Sequence, residues 1–307
     1  LVVVALLVAL VFAAFARVDK VDALARYDGR PAATPGKDIL IVGSDSREGL
    51  TREQRRTYGT GSTAGRRTDT IMLLHVPRGG GRPVLVGLPR DSYVEIPGRG
   101  AGKLNSAYSL GGPRLLARTV EQATRIRVDD YVEVGFGGFV GIVDAVGGVR
   151  LCPKRAIQDR RANLDVRKGC QQMDGPTALG YVRARYFDPK GDLGRIERQQ
   201  EFLGALSDRA TSLAVLANPL RLPRAALAGG DALTVDERTS PVDLVRFGLA
   251  MGKVGGSGGQ RTTVPVAGTA NRAGAGNVVL WDDAAAEKLF TALRKDRRVP
   301  TSVLRGR

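Results

Sequence analysis

Four clusters of charged residues have the types and spacing that phosphate chemistry needs. Gly43-Ser-Asp45-Ser-Arg47 ends one apolar run, Arg66-Arg67-Thr68-Asp69-Thr70 opens the next, and Leu88-Pro89-Arg90-Asp91 closes a third. The fourth is Arg183-Ala-Arg185, followed by Asp192-x-x-Arg195-x-x-Arg198-Gln199. Arginine grips two phosphate oxygens at once through its planar fork. Separated carboxylates suit Mg²⁺, which takes one or two of them together with substrate phosphate. The combination points to a Mg²⁺–pyrophosphate site. Taken singly, each cluster reads more readily as a solvated or ion-paired surface than as a site. The single histidine, His75, follows Leu73-Leu74 and reads as a strand residue, and Ser44 and Ser46 have no histidine beside them in sequence.

These side chains need a scaffold. Residues 38–43 are short, apolar and β-branched, as in a buried strand; 69–76 and 82–88 read as two more around a Gly-rich hairpin, and 93–96 as a fourth. Residues 51–67 read as a long basic loop. Helices are expected from Pro113 to about 126, over 136–146 with a stop at Gly147-Gly148, over 175–184 and over 192–217. On the last of these, Asp192, Arg195 and Gln199 share one face, leaving Ile196 and Leu203 for another. Residues 131–134 return as a strand. Strands and helices alternating around one apolar centre predict a three-layer α/β/α domain with a central mixed sheet over residues 38–217. Clusters at strand carboxyl ends are where ligands gather in such sheets. Residues 218–307 read as a helical and strand extension of that domain or a small subdomain, with 255–259 as a flexible linker.

Residues 1–16 are uniformly apolar and would span roughly 24 Å as a helix, a little short of the ~30 Å hydrocarbon core. They read as a single transmembrane helix that begins upstream of this sequence; a secretory signal ending near Ala14-Phe15-Ala16 and a buried core helix are the rival readings. Residues 17–37, with Pro31, Pro35 and Gly36, read as a juxtamembrane stalk. A membrane anchor or a signal would both export the rest of the chain. Outside the cytosol Cys152 and Cys170, the only two cysteines, are expected to pair. Lys and Arg total 47 against 31 Asp and Glu, a net charge of +16, which calls for an anionic partner. Aromatic residues at 5% offer few stacking platforms, and no nucleic-acid-binding motif is present, so nucleic acid is not the expected partner. One histidine and two cysteines exclude Cys₄ and Cys₂His₂ zinc sites.

The ordered motifs Gly43-Ser-Asp45-Ser-Arg47, Arg67-Thr-Asp69-Thr70, Leu88-Pro-Arg90-Asp91, Lys103-Leu-Asn105-Ser-Ala-Tyr108, Val149-Arg-Leu151, Arg183-Ala-Arg185-Tyr186 and Asp192-Leu-Gly-Arg195-x-x-Arg198-Gln199-Gln200 resemble those of the LytR-CpsA-Psr family over about residues 38–206. The resemblance implies a membrane-anchored, extracytoplasmic phosphotransferase. Such an enzyme moves a glycopolymer from a polyprenyl-pyrophosphate carrier to peptidoglycan, usually at the 6-hydroxyl of N-acetylmuramic acid. It implies Asp45 and Asp69 as Mg²⁺ ligands. It implies a pyrophosphate grip by Arg47, Arg67, Arg90, Lys103, Arg183, Arg185, Arg195, Arg198 and Gln199, with Arg67, Arg90, Asp91, Arg185 and Arg195 as the catalytic set and Asp91 as candidate general base. The Cys152–Cys170 insertion resembles the disulfide-bearing branch of the family, while the long basic loop between Asp45 and Asp69 departs from shorter members. Phe136, Phe139, Val140, Ile142 and Val143 would suit either an apolar groove for the lipid tail or a core.

Overall fold

Alternate side chains of β2 (Lys37–Ser44) and β3 (Thr68–Val76) are apolar in both directions, so these strands are buried on both faces of their sheet. Ile39, Ile41, Met72 and Leu74 pack on one side, Leu40, Val42, Ile71 and Leu73 on the other. The computed structural model describes residues 1–45, 50–58, 68–184 and 192–304. Among them, β1 (Asp19–Val21), β2, β3, β4 (Val84–Gly87), β7 (Asp130–Val134), β12 (Leu233–Asp236) and β13 (Gln260–Thr263) form a mixed sheet in the order β1-β12-β7-β2-β3-β4-β13. The pairs β1–β12, β2–β7 and β4–β13 are parallel and the others antiparallel.

Helices α3 (Leu104–Thr124) and α10 (Asp283–Arg294) cover one face through Leu104, Leu116, Val120, Leu289 and Leu293. On the other face lie α9 (Pro241–Gly255), the end of α1 (Val2–Phe15) and part of α6 (Asp192–Ala210). This is the expected α/β/α layering. Beyond the carboxyl end of β7, α4 (Phe136–Ala145) and α5 (Gly175–Arg183) enclose a separate cluster with the hairpins β9 (Ile157–Asp159)–β10 (Leu164–Val166) and β8 (Val149–Leu151)–β11 (Gln171–Met173). The remaining elements are α2 (Arg52–Thr57), the hairpins β5 (Tyr93–Ile96)–β6 (Gly100–Lys103) and β14 (Val266–Arg272)–β15 (Gly276–Trp281), and the short helices α7 (Leu213–Leu216), α8 (Arg221–Ala232) and α11 (Thr301–Leu304).

Several expectations change. Residues 17–37 are not a free stalk: β1 is an edge strand of the sheet, and Val18, Ala23 and Leu24 are buried. Nor does the sheet end at residue 217, because β12 and β13 belong to it, and residues 218–304 extend the same domain. Residues 93–96 form a side hairpin instead of a fourth central strand. The helix expected from Pro113 begins at Leu104 and breaks at Gly111–Gly112, where Gly112 takes φ 64°. Within the supposed loop, Thr51 caps α2 through a capping box with Gln54. The supposed linker 255–259 is packed: Gly255 lies against Gly204 of α6, and a Cβ on Gly259 would stand 2.6 Å from the Val254 backbone. Among the described residues no helix is long and apolar enough to cross a membrane; α1 has 14 residues.

Cys152 and Cys170 are joined in a disulfide. They flank the paired ends of β8 and β11, where Leu151 faces Gln171, so the bond staples the base of the excursion that carries β9 and β10.

Candidate active site

The antiparallel pairing of β2 and β3 brings the two aspartates to one end of the sheet. Gly43 faces Thr70 and Ser44 faces Thr68, which leaves Asp69 as the extra residue of a bulge. A bulge re-aims the side chain it carries. Asp69 and Asp45 line the same two spaces, an apolar cavity and a polar mouth, and so stand at their junction. Gly43 allows the close pairing, since a Cβ there would stand 2.9 Å from Thr70 Cβ.

Each side chain around the aspartates has a structural reason for its place. Arg90, just beyond β4, contacts the Asp69 carboxylate through Nη1 and Asp91 Oδ2 through Nε at 3.4 Å. Lys103 Nζ lies 3.0 Å from the other oxygen of Asp91. Arg195 is 2% exposed and donates from Nη2 to the Asp69 carbonyl at 3.3 Å. Its helix is pressed onto the sheet at Gly87, where a Cβ would stand 2.7 Å from Ile196 Cγ2. Arg183, at the end of α5, donates to the Tyr58 carbonyl at 2.8 Å, with its guanidinium 4.8 Å from the Phe136 ring centre. A cation over an aromatic face is attracted by the ring quadrupole.

The apolar cavity is partly open to solvent. Phe136, Phe139 and Ile142 of α4, Leu179 and Val182 of α5, and Phe202, Leu203 and Leu206 of α6 line it. Phe139 and Phe202 stack at 4.5 Å. Of the five residues with two readings, Phe136, Phe139 and Ile142 face the cavity, whereas Val140 and Val143 belong to the core. The polar mouth is lined by Arg90, Asp91, Lys103, Asn105, Ser106 and Ser109 besides the two aspartates.

Asp45, Asp69, Arg90, Asp91, Lys103, Arg183, Arg195 and Gln199 therefore come together along these two connected spaces. Gln199 is buried and donates to the Val182 carbonyl at 3.4 Å. Arg198 is also buried, but its Nη2 is directed at the Ala184 carbonyl, on the backbone that leads out of α5. Arg47, Arg67 and Arg185 lie outside the described residues. The sequence reading passed over Leu179, Val182, Phe202 and Leu206, yet a signal existed: Arg195, Gln199, Phe202 and Leu206 follow the i, i+4, i+7, i+11 spacing of one helix face.

Among the described residues no group of three His, Cys, Asp or Glu side chains is placed to hold a metal ion. Asp45 and Asp69 border one space, and two carboxylates beside a substrate phosphate are a donor set that Mg²⁺ takes. The donor set therefore fits Mg²⁺. Chemically, the arrangement offers a slot for a hydrocarbon chain, a band of cations and carboxylates for a phosphate group, and a hydroxyl- and amide-lined opening.

The family model described as the LytR_cpsA_psr family matches residues 13–295. A probable cell wall biosynthesis protein LcpB of Corynebacterium glutamicum is 49% identical over 278 residues, 88% of this chain and 65% of that protein. A polyisoprenyl-teichoic acid–peptidoglycan teichoic acid transferase TagU of Oceanobacillus iheyensis is 35% identical over 181 residues, 57% of this chain and 52% of that protein. The chain thus spans less than two thirds of the length of these relatives. A LytR-Csp2A-Psr enzyme structure from Actinomyces oris superposes with a TM-score of 0.69 at 21% identity, covering 90% of this chain and 96% of that one. At that identity the likeness is one of fold.

Proposed function

The chain belongs to the LytR-CpsA-Psr family, and from that premise we propose that it transfers a glycopolymer from a polyprenyl-pyrophosphate carrier to a peptidoglycan hydroxyl on the outer side of the cell membrane. One observation carries this reading: Asp45 and Asp69 stand where an apolar cavity meets a polar mouth. That division matches an amphiphile with a hydrocarbon tail, a charged pyrophosphate and a sugar chain. The TagU relative is named a polyisoprenyl-teichoic acid–peptidoglycan teichoic acid transferase, an activity of the same class.

The polyprenyl tail occupies the slot between α4, α5 and α6. Arg90, Arg183 and Arg195 face the pyrophosphate, with Arg47, Arg67, Lys103 and Arg185 adding positive charge around it. A sugar hydroxyl, taken as the 6-hydroxyl of N-acetylmuramic acid, attacks the glycopolymer-side phosphorus. The bond to the bridging oxygen breaks and polyprenyl phosphate leaves with the electron pair, giving a phosphodiester. Asp91 is the candidate acceptor of the hydroxyl proton. It is bracketed by Lys103 and Arg90, so it must exchange one of those contacts as the proton arrives. Fixed cations aimed at phosphoryl oxygens supply most of the catalysis in such transfers. Asp45 and Asp69 would hold Mg²⁺, which when bound supplies further positive charge at the phosphate oxygens. Gln199 and Arg198 position the backbone at the end of α5, which carries Arg183.

Mass spectrometry of products from a lipid-pyrophosphate glycan and peptidoglycan tests the reading. The expected product is glycan joined to muramic acid through a phosphodiester. Release of free glycan phosphate with no linked product would make water the acceptor and the protein a hydrolase.

A further inference from the structure

Helix α9 is apolar on both sides. Its inner side packs on the sheet through Ala250, Met251 and Val254, with Leu244 and Phe247 alongside. On its outer side Val242, Val245 and Leu249 are 57%, 43% and 64% exposed. At the helical repeat these three form one stripe, and exposed Arg246 and Lys253 flank it. The outward face of a helix on a globular domain is normally polar. The end of α1 packs against both α8 and α9; on α8, Ala14 closes on Gly230 and Arg17 pairs with Asp231 at 3.1 Å. Residues 1–9, ahead of that contact, are exposed and wholly apolar.

We propose that the outer face of α9 lies in the headgroup layer of an anionic phospholipid bilayer, next to the point where α1 enters it; this rests on the reading of α1 as a membrane anchor. Size and charge favour lipid over a second copy of the chain. A stable protein interface needs about 800 Å² from each partner, far more than one stripe of two valines and a leucine. Self-association would also set Arg246 and Lys253 against their own copies in a chain of net charge +16. A bilayer that already holds α1 makes docking of α9 intramolecular, so a small apolar area suffices. The flanking cations gain from anionic headgroups.

Docking has a consequence for the active site. Helix α6 lines the apolar cavity with Leu203 and Leu206 and meets α9 in the contact between Gly204 and Gly255. The docked state sets that wall of the cavity beside the lipid from which a polyprenyl chain must come.

The test uses the full chain in lipid nanodiscs. Because Cys152 and Cys170 are paired, an introduced cysteine is the only free thiol to label. A bimane label is placed by Leu249→Cys, by Phe12→Cys on α1, or by Leu110→Cys, a 50% exposed position on α3 across the sheet. Quenching is read with spin-labelled phosphatidylcholine, with and without phosphatidylglycerol. Labels at 12 and 249 are expected to be quenched and the label at 110 not. Arg246→Gln and Lys253→Gln should each lower the docked-to-undocked ratio about fivefold, in anionic discs only. Quenching at 12 without quenching at 249 overturns the docking and leaves the anchor standing. No quenching at either position overturns the anchor and the docking with it. Energy transfer between labels at 249 on different chains, without lipid quenching, would show a second copy on this face and also overturn the proposal.

Discussion

Asp69 is held from two directions: Arg90 contacts its carboxylate, while Arg195 donates to its carbonyl from the buried side. Its side chain is thereby fixed at the junction it shares with Asp45, and this makes the two aspartates testable as one unit. A pyrophosphate diester carries two negative charges, so two uncompensated aspartates beside it would repel it, and a shared Mg²⁺ removes the conflict. Asp45→Asn and Asp69→Asn should each lower the transfer rate about 100-fold, and the double variant should be little worse than either single one. Independent roles would instead multiply to about 10⁴-fold. Steady-state rates with Mg²⁺ and with EDTA distinguish the two cases, and activity that persists in EDTA would falsify the shared-metal assignment. For Arg185, replacement by Lys should impair transfer almost as much as replacement by Ala, because a point charge does not reproduce the planar fork. Near-normal turnover of Arg185→Lys would show that bulk positive charge suffices. At this scale the convergence of Asp45, Asp69, Arg90, Asp91, Lys103, Arg183 and Arg195 was legible in the sequence, since charge clusters at strand ends keep their meaning in any α/β sheet, while Arg47, Arg67 and Arg185 lie outside the described residues. The apolar walls were not, because Phe139 on the cavity and Val140 in the core are neighbours of similar character, and only the packing of α5 and α6 against α4 tells them apart.

Strand β3 does more than place Asp69, because its far end carries His75, which ties β2 and the C-terminal segment to the sheet. His75 Nδ1 lies 2.9 Å from Asp38 Oδ1, and Nε2 lies 3.1 Å from Asp296 Oδ1. Burial pushes the imidazole pKa down, but hydrogen bonds and charge from Asp38 and then Asp296 outweigh it and hold the value above the ordinary one. A raised histidine pKa stabilises the fold fully below the unfolded value of about 6.5, and that stability is lost as pH rises through the folded value. Denaturant titrations should therefore show stability declining above about pH 6.5, with the decline flattened in His75→Gln. An unchanged profile in that variant would remove the linkage. The disulfide acts on another element, the β8–β11 excursion. Loss of a loop of that size by Cys152→Ser/Cys170→Ser should cost about 3 kcal/mol in urea unfolding; an unchanged midpoint would mean that the β8–β11 pairing already fixes the loop. The long apolar strands and the helix ending at Gly147-Gly148 were legible, because period and punctuation are local signals. The three-residue strands β8–β11 and the edge strand β1 were not. Segments that short carry no period and owe their conformation to partners far away in sequence.

The N-terminal segment shows what such distant partners do for the whole molecule. Residues 17–37 read as a stalk on composition, with two prolines, two glycines and many charges, yet they close one edge of the central sheet. Asp19, Lys20 and Val21 pair with Thr234, Val235 and Asp236. The buried Asp236 carboxylate accepts hydrogen bonds from Ala23 N at 3.1 Å and Leu24 N at 2.9 Å. Farther along, Arg30 pairs with the buried Glu121 at 2.8 Å, and the Tyr27 hydroxyl donates to it at 2.7 Å. A stalk can be cut anywhere, whereas this segment cannot. Starting the chain at residue 17 removes α1, whose first residues touch little else, and keeps all of these contacts. Starting it at residue 31 strips two amide donors from a buried carboxylate and the cation from another. Orphaned buried polar groups cost about 1–3 kcal/mol each, and breaking a buried ion pair costs about 3–5 kcal/mol. The sum is at least about 5 kcal/mol, a large part of the 5–15 kcal/mol that a domain ordinarily has. At about 2–4 °C per kcal/mol for a large domain, calorimetry should place the Tm of the 31–307 chain at least about 10 °C below that of the 17–307 chain, or find no cooperative transition. Equal melting of the two chains would mean that β1 only rests on the sheet, and the domain would then begin where composition places it, at residue 38.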